Sequence, residues 1–326
     1  MTQRKEGCMA DAVITVKDLN YYYPGTKALE DVTFTINKGD ITALVGPNGS
    51  GKTTMLRTLA GLDTPFSGKI EVANTNVLTD PRQAHTKIGY LSDDFGLYKD
   101  LVVKDVLEFI GGCHGLKDQA LNDRIKWVTD LLRLEGVFDK KCGALSRGWR
   151  QRVGIAMSIV HKPEILLLDE PASGLDPEAR AELSAVMLAL QAEGITSLVS
   201  SHILAELEEY CTSMLVLRNG KIQKHVLLQE HRKTQKASLQ ITVLGALTEA
   251  QNKTVNDVAG QEAVEVSKDD QTTTISIVVD YDHDANHALL KKLISKKIPV
   301  CGFTLKEVTL QRLYLETSDI EEGNKP

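Results

Sequence analysis

Three things are scarce or missing in this 326-residue sequence. There is no cysteine framework. The five cysteines (Cys8, Cys113, Cys142, Cys211 and Cys301) are odd in number, widely scattered and never form C-x-x-C. That excludes a disulfide scaffold and a cysteine zinc site, and it suits a reducing cytosol. There is no apolar run approaching the roughly 18 residues of a membrane span, and the start, MTQRKEGCMADAV, lacks the apolar stretch of a secretory signal. The chain is therefore expected to reach a membrane only through a partner. There is also no basic excess: 38 Lys and Arg stand against 44 Asp and Glu, a formal net charge of −6. Binding to nucleic acid through bulk electrostatics is not expected. Internal repeats and low-complexity tracts are absent too.

What remains is ordinary globular material, 42% hydrophobic and 25% charged, long enough for about two domains. Val32, Phe34 and Ile36 alternate with Thr33 and Thr35, the period of a half-buried strand. ITALVG (41–46) reads as a buried strand entering a glycine-rich loop, and GKTTMLRTLAG as a helix stopped by Gly61. Residues 104–135 read as mainly helical, with Trp127, Leu131, Leu132 and Leu134 among charges. EILLLDE and ITSLVSS are buried strands separated by a helix from Pro177 to Glu193, with Asp176 as its N-cap and Gly194 after its end. Strands alternating with helices imply a mostly parallel sheet covered on both faces. Asn219-Gly220 marks a closing hairpin. The expected division is an α/β domain over 12–228 containing a helical subdomain at about 94–160, then a linker at 229–237. An α+β unit follows over 238–318, with disordered tails at 1–11 and 319–326. The second unit runs β-α-β-β-α-β, a ferredoxin-like order, and ends in a short helix, TLQRLYLET.

GPNGSGKTT comprises Gly46, Pro47, Asn48, Gly49, Ser50, Gly51, Lys52, Thr53 and Thr54. It fits the phosphate-loop pattern G-x-x-x-x-G-K-[ST], and it lies between a strand and a helix, where that pattern works. The glycines let backbone N–H groups curl around phosphates, and the helix N-terminus adds positive partial charge. Lys52 is expected at the β- and γ-phosphates and the Thr53 hydroxyl on Mg²⁺. Asp169 and Glu170 end the apolar run Ile165–Leu168, so a buried strand delivers both acids to the crevice where open α/β sheets bind ligands. Asp169 is expected to hold Mg²⁺ through water, and Glu170 to take a proton from the attacking water.

The order of phosphate loop, LSRGWRQR (145–152), ILLLDEP, SGLD (173–176) and SSH ending at His202 resembles the ATP-binding subunit of ABC transporters, over residues 13 to about 226. The resemblance implies the P-loop NTPase cassette, with an antiparallel β subdomain and a helical subdomain, and ATP and Mg²⁺ as ligands. It also implies a second ATPase subunit, identical or closely related, that sandwiches two ATPs head to tail with the first. Ser146 and the N–H groups near Gly148 then cap the nucleotide held by the partner. Tyr23 resembles the aromatic that stacks on adenine, with Tyr21 and Tyr22 as alternatives. His202 resembles the histidine that contacts the γ-phosphate and steadies Glu170, and Asp176 the loop residue that communicates across the dimer. Two positions depart from the family's habit. Arg147 and Trp149 replace the usual glycine and glutamine of the signature. Asp93 stands where most members carry a glutamine near Mg²⁺; it either ligates the metal or, in the polar loop DDFGLYKDL, shapes the surface toward the membrane partner. The ending EVTLQRLYLETS is similar to the small domain of export-type members. Together these imply a subunit on the inner face of the cell membrane that drives an integral membrane permease. The rival readings are a soluble ABC-type ATPase acting on nucleic acid or ribosomes, and a non-hydrolysing ATP-dependent switch.

Overall fold

The structure is a computed structural model and describes residues 12–228, 236–245, 247–259, 264–268, 272–280 and 282–306. The chain divides into two compact units between Leu227 and Leu228.

In the first unit the strands are β1 (Ala12–Tyr23), β2 (Thr26–Asn37), β3 (Ile41–Val45), β4 (Ser67–Val72), β5 (Thr75–Asn76), β6 (Ile88–Leu91), β7 (Ile165–Asp169), β8 (Thr196–Ser201), β9 (Ser213–Arg218) and β10 (Lys221–Leu227). The helices are α1 (Lys52–Leu59), α2 (Pro81–His85), α3 (Val103–Cys113), α4 (Asp118–Leu132), α5 (Arg147–Ile159), α6 (Pro177–Ala192) and α7 (Leu204–Leu207). Every residue of β3, β7 and β8 is buried. A strand buried on both faces needs no polar alternation, which is why Ile165–Leu168 of β7 reads as a continuous apolar run. β3 also buries Thr42, and β8 buries Thr196, Ser197, Ser200 and Ser201 beside Leu198 and Val199. All three lie at the centre of a six-stranded sheet in the order β10-β9-β3-β8-β7-β6, parallel except for β10. β10 returns through Asn219 and Gly220, both at positive φ (49° and 76°), as a primed hairpin turn requires.

The other sheet is antiparallel, in the order β2-β1-β4-β5. Val32, Phe34 and Ile36 point into the core while Thr33 and Thr35 are exposed, as the alternation predicts. This face joins one core with Leu44, Met55, Leu56, Leu167 and Leu198. Each such aliphatic side chain contributes about 1.5–3 kcal/mol on burial. Helices α3, α4 and α5 form the expected helical excursion between β6 and β7. Among the described residues no helix is long and apolar enough to cross a membrane.

The second unit holds β11 (Lys236–Leu244), α8 (Glu249–Ala259), β12 (Val264–Lys268), β13 (Thr272–Asp280), α9 (His283–Ser295) and β14 (Val300–Lys306). Its antiparallel sheet has the order β12-β13-β11-β14 over a core of Leu239, Ile241, Val243, Ile275, Ile277 and Leu293. The β-α-β-β-α-β reading holds at the level of element order. β11 begins at Lys236, inside the expected linker range 229–237, because Lys236 and Ala237 pair with Asp280 and Val279. The terminal helix TLQRLYLET, both tails and residues 229–235 lie outside the described residues.

Candidate nucleotide-binding and catalytic site

The loop between β3 and α1 is shaped by what its glycines leave out. A Cβ on Gly46 would collide with the Leu217 carbonyl, and one on Gly51 would meet the Ala28 carbonyl at 2.6 Å. Gly51 also takes φ +106°, which side chains rarely tolerate. Pro47, Asn48 and Gly49 are exposed along the rim, while Ser50 is buried with a hydroxyl that has no partner. Helix α1 starts with no side-chain cap and no acid in its first turn, so its N-terminal N–H groups and their positive end are left for an anion. This bare cradle fits a phosphate chain.

Lys52 is buried across the mouth of the loop, its Nζ donating to the Gly46 carbonyl at 2.9 Å and lying 3.4 Å from Glu170 Oε1. Thr53 is exposed in the first turn. Thr54 is buried, with Oγ1 3.3 Å from the Tyr23 hydroxyl. Tyr23 itself is 44% exposed beside the loop, its ring 5.0 Å from that of Tyr21. Tyr22 turns to the other face of the strand and meets Phe66 edge-on. Of the three tyrosines, the geometry selects Tyr23 as the one adjoining the phosphate loop.

The acids arrive at the tip of β7. Asp169 is 2% exposed and accepts a 2.6 Å hydrogen bond from Ser200 Oγ, its neighbour in the parallel register. The same Ser200 oxygen accepts from the Glu170 backbone N–H at 2.9 Å, so one hydroxyl orients both carboxylate residues. Glu170 holds φ +48°, an unusual value for a side-chain-bearing residue, of the kind that gathers at functional sites. Its Oε2 accepts from His202 Nδ1 at 2.7 Å and from the His202 backbone N–H at 3.3 Å. Lys52 and His202 thus grip the two oxygens of one carboxylate. Ser200 was missed in reading the sequence, although it is the residue of SSH that stands opposite Asp169 once two parallel strands are paired.

Asp93 lies on the same crevice. Partial burial and then the charges of Asp169 and Glu170 push its carboxyl above the usual range, while Arg147 pulls it back. A cavity of about 360 Å³ joins Asp93, Arg147, Glu170 and Ser173. Among the described residues no three His, Cys, Asp or Glu side chains form a metal site made by protein alone. Mg²⁺ usually takes one or two carboxylates plus phosphate and water, and Thr53 with Asp169 offers that kind of partial donor set.

The signature segment reaches the Asp93 crevice through Arg147, but its Ser146 and Gly148 face another cavity. Ser146 caps α5, but its bond from the Trp149 N–H is long at 3.4 Å, so its hydroxyl is only weakly engaged. Gly148 packs against α6, where an added Cβ would stand 3.1 Å from that of Ala179. Asp176 caps α6 through a 2.8 Å bond from the Ala179 N–H. Ser146, Gly148, Gly174 and Asp176 line a cavity of about 270 Å³ that no phosphate-loop residue enters. Within one chain Ser146 and Gly148 thus face a cavity apart from the phosphate loop, while Arg147 of the same segment reaches the crevice of Asp93 and Glu170. Arg147, the residue unusual for its position, lies flat on Gly174, whose missing side chain makes room for the guanidinium.

A bare glycine loop on a helix N-terminus, a buried lysine, a strand-tip Asp-Glu pair and a histidine on the glutamate define a P-loop nucleotide-binding protein with the cassette layout. The ABC transporter family profile matches residues 29–173. The probable multidrug ABC transporter ATP-binding protein YbhF of Escherichia coli K12 is 33% identical over 217 residues, 67% of this chain. The match spans only 37% of that relative's length. The uncharacterized ABC transporter ATP-binding protein YxlF of Bacillus subtilis is 30% identical over 93% of this chain and 99% of its own. Among solved structures, the dimeric post-hydrolysis state of the cassette MJ0796 bound to ADP and Pi aligns with a TM-score of 0.59. It is 25% identical and covers 66% of this chain and 98% of that one. The chain belongs to the ABC transporter ATP-binding family.

Proposed function

We infer that this chain is the ATP-hydrolysing motor subunit of a membrane exporter, working as a dimer of cassettes on the cytoplasmic face of an integral permease. The observation that carries the reading is Glu170, held between Lys52 and His202 at the mouth of the phosphate loop. Tyr23 stacks on adenine, a contact worth about 1–3 kcal/mol. The loop N–H groups of Gly46–Thr54 and Lys52 bind the phosphates. Thr53, and Asp169 through water, would hold Mg²⁺, which would supply charge neutralisation at the β- and γ-phosphates.

Glu170 accepts the proton of the attacking water, and His202 keeps its carboxylate aimed and adds a donor toward the γ-phosphate. Ser146 and the α5 N-terminus, next to Gly148, complete the site of the partner cassette, and Asp176 carries the state of one site to the other. The separate place of the signature cavity and the dimeric MJ0796 structure support this division of labour. Export is supported by the multidrug name of the E. coli relative. Glu170→Gln keeps shape and loses basicity, so ATP turnover should fall by about 10²–10⁴-fold, the worth of a positioned general base. Nucleotide binding should persist. Near wild-type turnover in this variant would remove Glu170 from the role. Recovery of a polytopic membrane protein with the chain from mild detergent extracts tests the permease.

A further inference from the structure

Behind His202 lies a buried polar cluster that the chemistry above does not use. Ser201, 1% exposed, donates through Oγ to Glu206 Oε1 at 2.6 Å and accepts from the Ile203 backbone N–H at 3.0 Å. These two bonds span the turn that carries His202, between the end of β8 and the start of α7. Glu206 is itself buried, and burial pushes its carboxyl up while the Ser201 bond and Arg180 pull it down. Its second oxygen has no hydrogen bond and stands 3.9 Å from Arg180 Nε, a buried atom also without a hydrogen-bond partner. Arg180 sits in the first turn of α6, its backbone N–H bonded to the Asp176 carbonyl at 3.0 Å. Buried polar groups are normally fully bonded, and half-met ones call for a reason.

The geometry points to Glu206 as a positioning residue for ATP hydrolysis. Through Ser201 it fixes the turn that aims His202 at Glu170, and through Arg180 it ties that turn to the first turn of the helix capped by Asp176. The proposal rests on the role given to His202 above. It follows from the short reach of the contacts: His202 Nδ1 stands 2.7 Å from Glu170, and a shift near 1 Å would break that bond.

A double-mutant cycle on the purified full chain tests it, with Glu206→Ala and His202→Ala made singly and together. Glu206→Ala should lower kcat by about 10- to 100-fold, the usual cost of misplacing a catalytic group by an ångström. KM for ATP should change little. In the His202→Ala background the same change should cost less than about twofold, because nothing is left to position. Ser201→Ala should reproduce the Glu206→Ala effect from the other end of the bond, which keeps the test open should one variant fold poorly. The His202 imidazole resonances should move in both variants. Equal losses in the two backgrounds, or unchanged kcat in Glu206→Ala, would overturn the proposal. If His202→Ala alone leaves turnover intact, the role of His202 fails instead. Unmoved His202 resonances in Glu206→Ala and Ser201→Ala then still decide against Glu206 as its positioner.

Discussion

Asp93 shows how far one residue's role depends on its neighbours. As a residue in a polar loop it suits a surface facing another protein; placed beside Asp169 and Glu170 it is the third carboxyl of one crevice. Burial first, and then the like charges of Asp169 and Glu170, raise its proton affinity, and the same like charges attract a divalent cation. Asp93→Ala should therefore raise the Mg²⁺ requirement of ATP turnover, roughly tenfold for the loss of one charge at this range. Asp93→Gln loses the same charge but keeps a carbonyl oxygen on a longer arm, so its Mg²⁺ requirement should rise less than that of Asp93→Ala and much of the activity should remain. A Mg²⁺ titration of the purified chain measures both. Unchanged Mg²⁺ dependence in Asp93→Ala would assign the residue to the permease-facing surface.

At the scale of elements, the helical excursion is joined to the sheet by histidines rather than by aliphatic packing alone. His161, just after α5, stacks on His114 at the end of α3, with ring centroids 3.8 Å apart and planes within 2°. Its Nε2 meets the Ile88 carbonyl at 3.1 Å, and its Nδ1 is buried without a partner. Burial first, then the neighbouring His114, lowers its pKa to about 4; His114 is lowered too, by burial and by His85. An unfolded histidine titrates near 6.5. Between those values the unfolded chain binds the proton and the folded chain does not, so stability is full above about pH 6.5 and falls as pH drops toward 4. The loss is on the order of 1–3 kcal/mol. Thermal melts from pH 7 to 5 should show Tm falling in the wild type, and a flatter profile in His161→Gln. The same joint pins the Asp93 loop: Phe95 lies on Gly154 of α5, where an added Cβ would stand 2.5 Å from its ring.

For the whole molecule, Ser146 and Gly148 line a cavity that contains no phosphate-loop residue, and the proposed dimer of cassettes would bring that cavity to a second nucleotide. With Glu170→Gln blocking hydrolysis, ATP should shift the chain toward a dimer in light scattering. Ser146→Arg should prevent the shift by filling the place of the partner's γ-phosphate. Ser146 is the better probe than Gly148, because any side chain at 148 also presses on Ala179. An undiminished dimer in Ser146→Arg would show that LSRGWRQR does not work across the interface.

Local chemistry was enough for much of this. The spacing of Gly46, Gly51, Lys52 and Thr53 specifies a phosphate loop because only glycines allow that backbone, and the largely apolar runs of β3 and β7 specify a covered parallel sheet because each strand is buried on both faces. Asp176 and Ser146 are caps that their own next turn demands, and the Asn219-Gly220 turn needs no distant contact. Other features arise only when remote segments meet. Ser200 acquires its role by pairing β8 with β7 beside Asp169, and Arg147 finds its seat on Gly174 because α5 and the loop before α6 are brought together. Glu206 and Arg180 become neighbours across two helices, although they stand 26 positions apart in the chain. Periodicity and spacing act over a few residues, whereas hydrogen bonds, charge and burial act over a few ångströms. The two coincide within an element and part company wherever the chain folds back on itself.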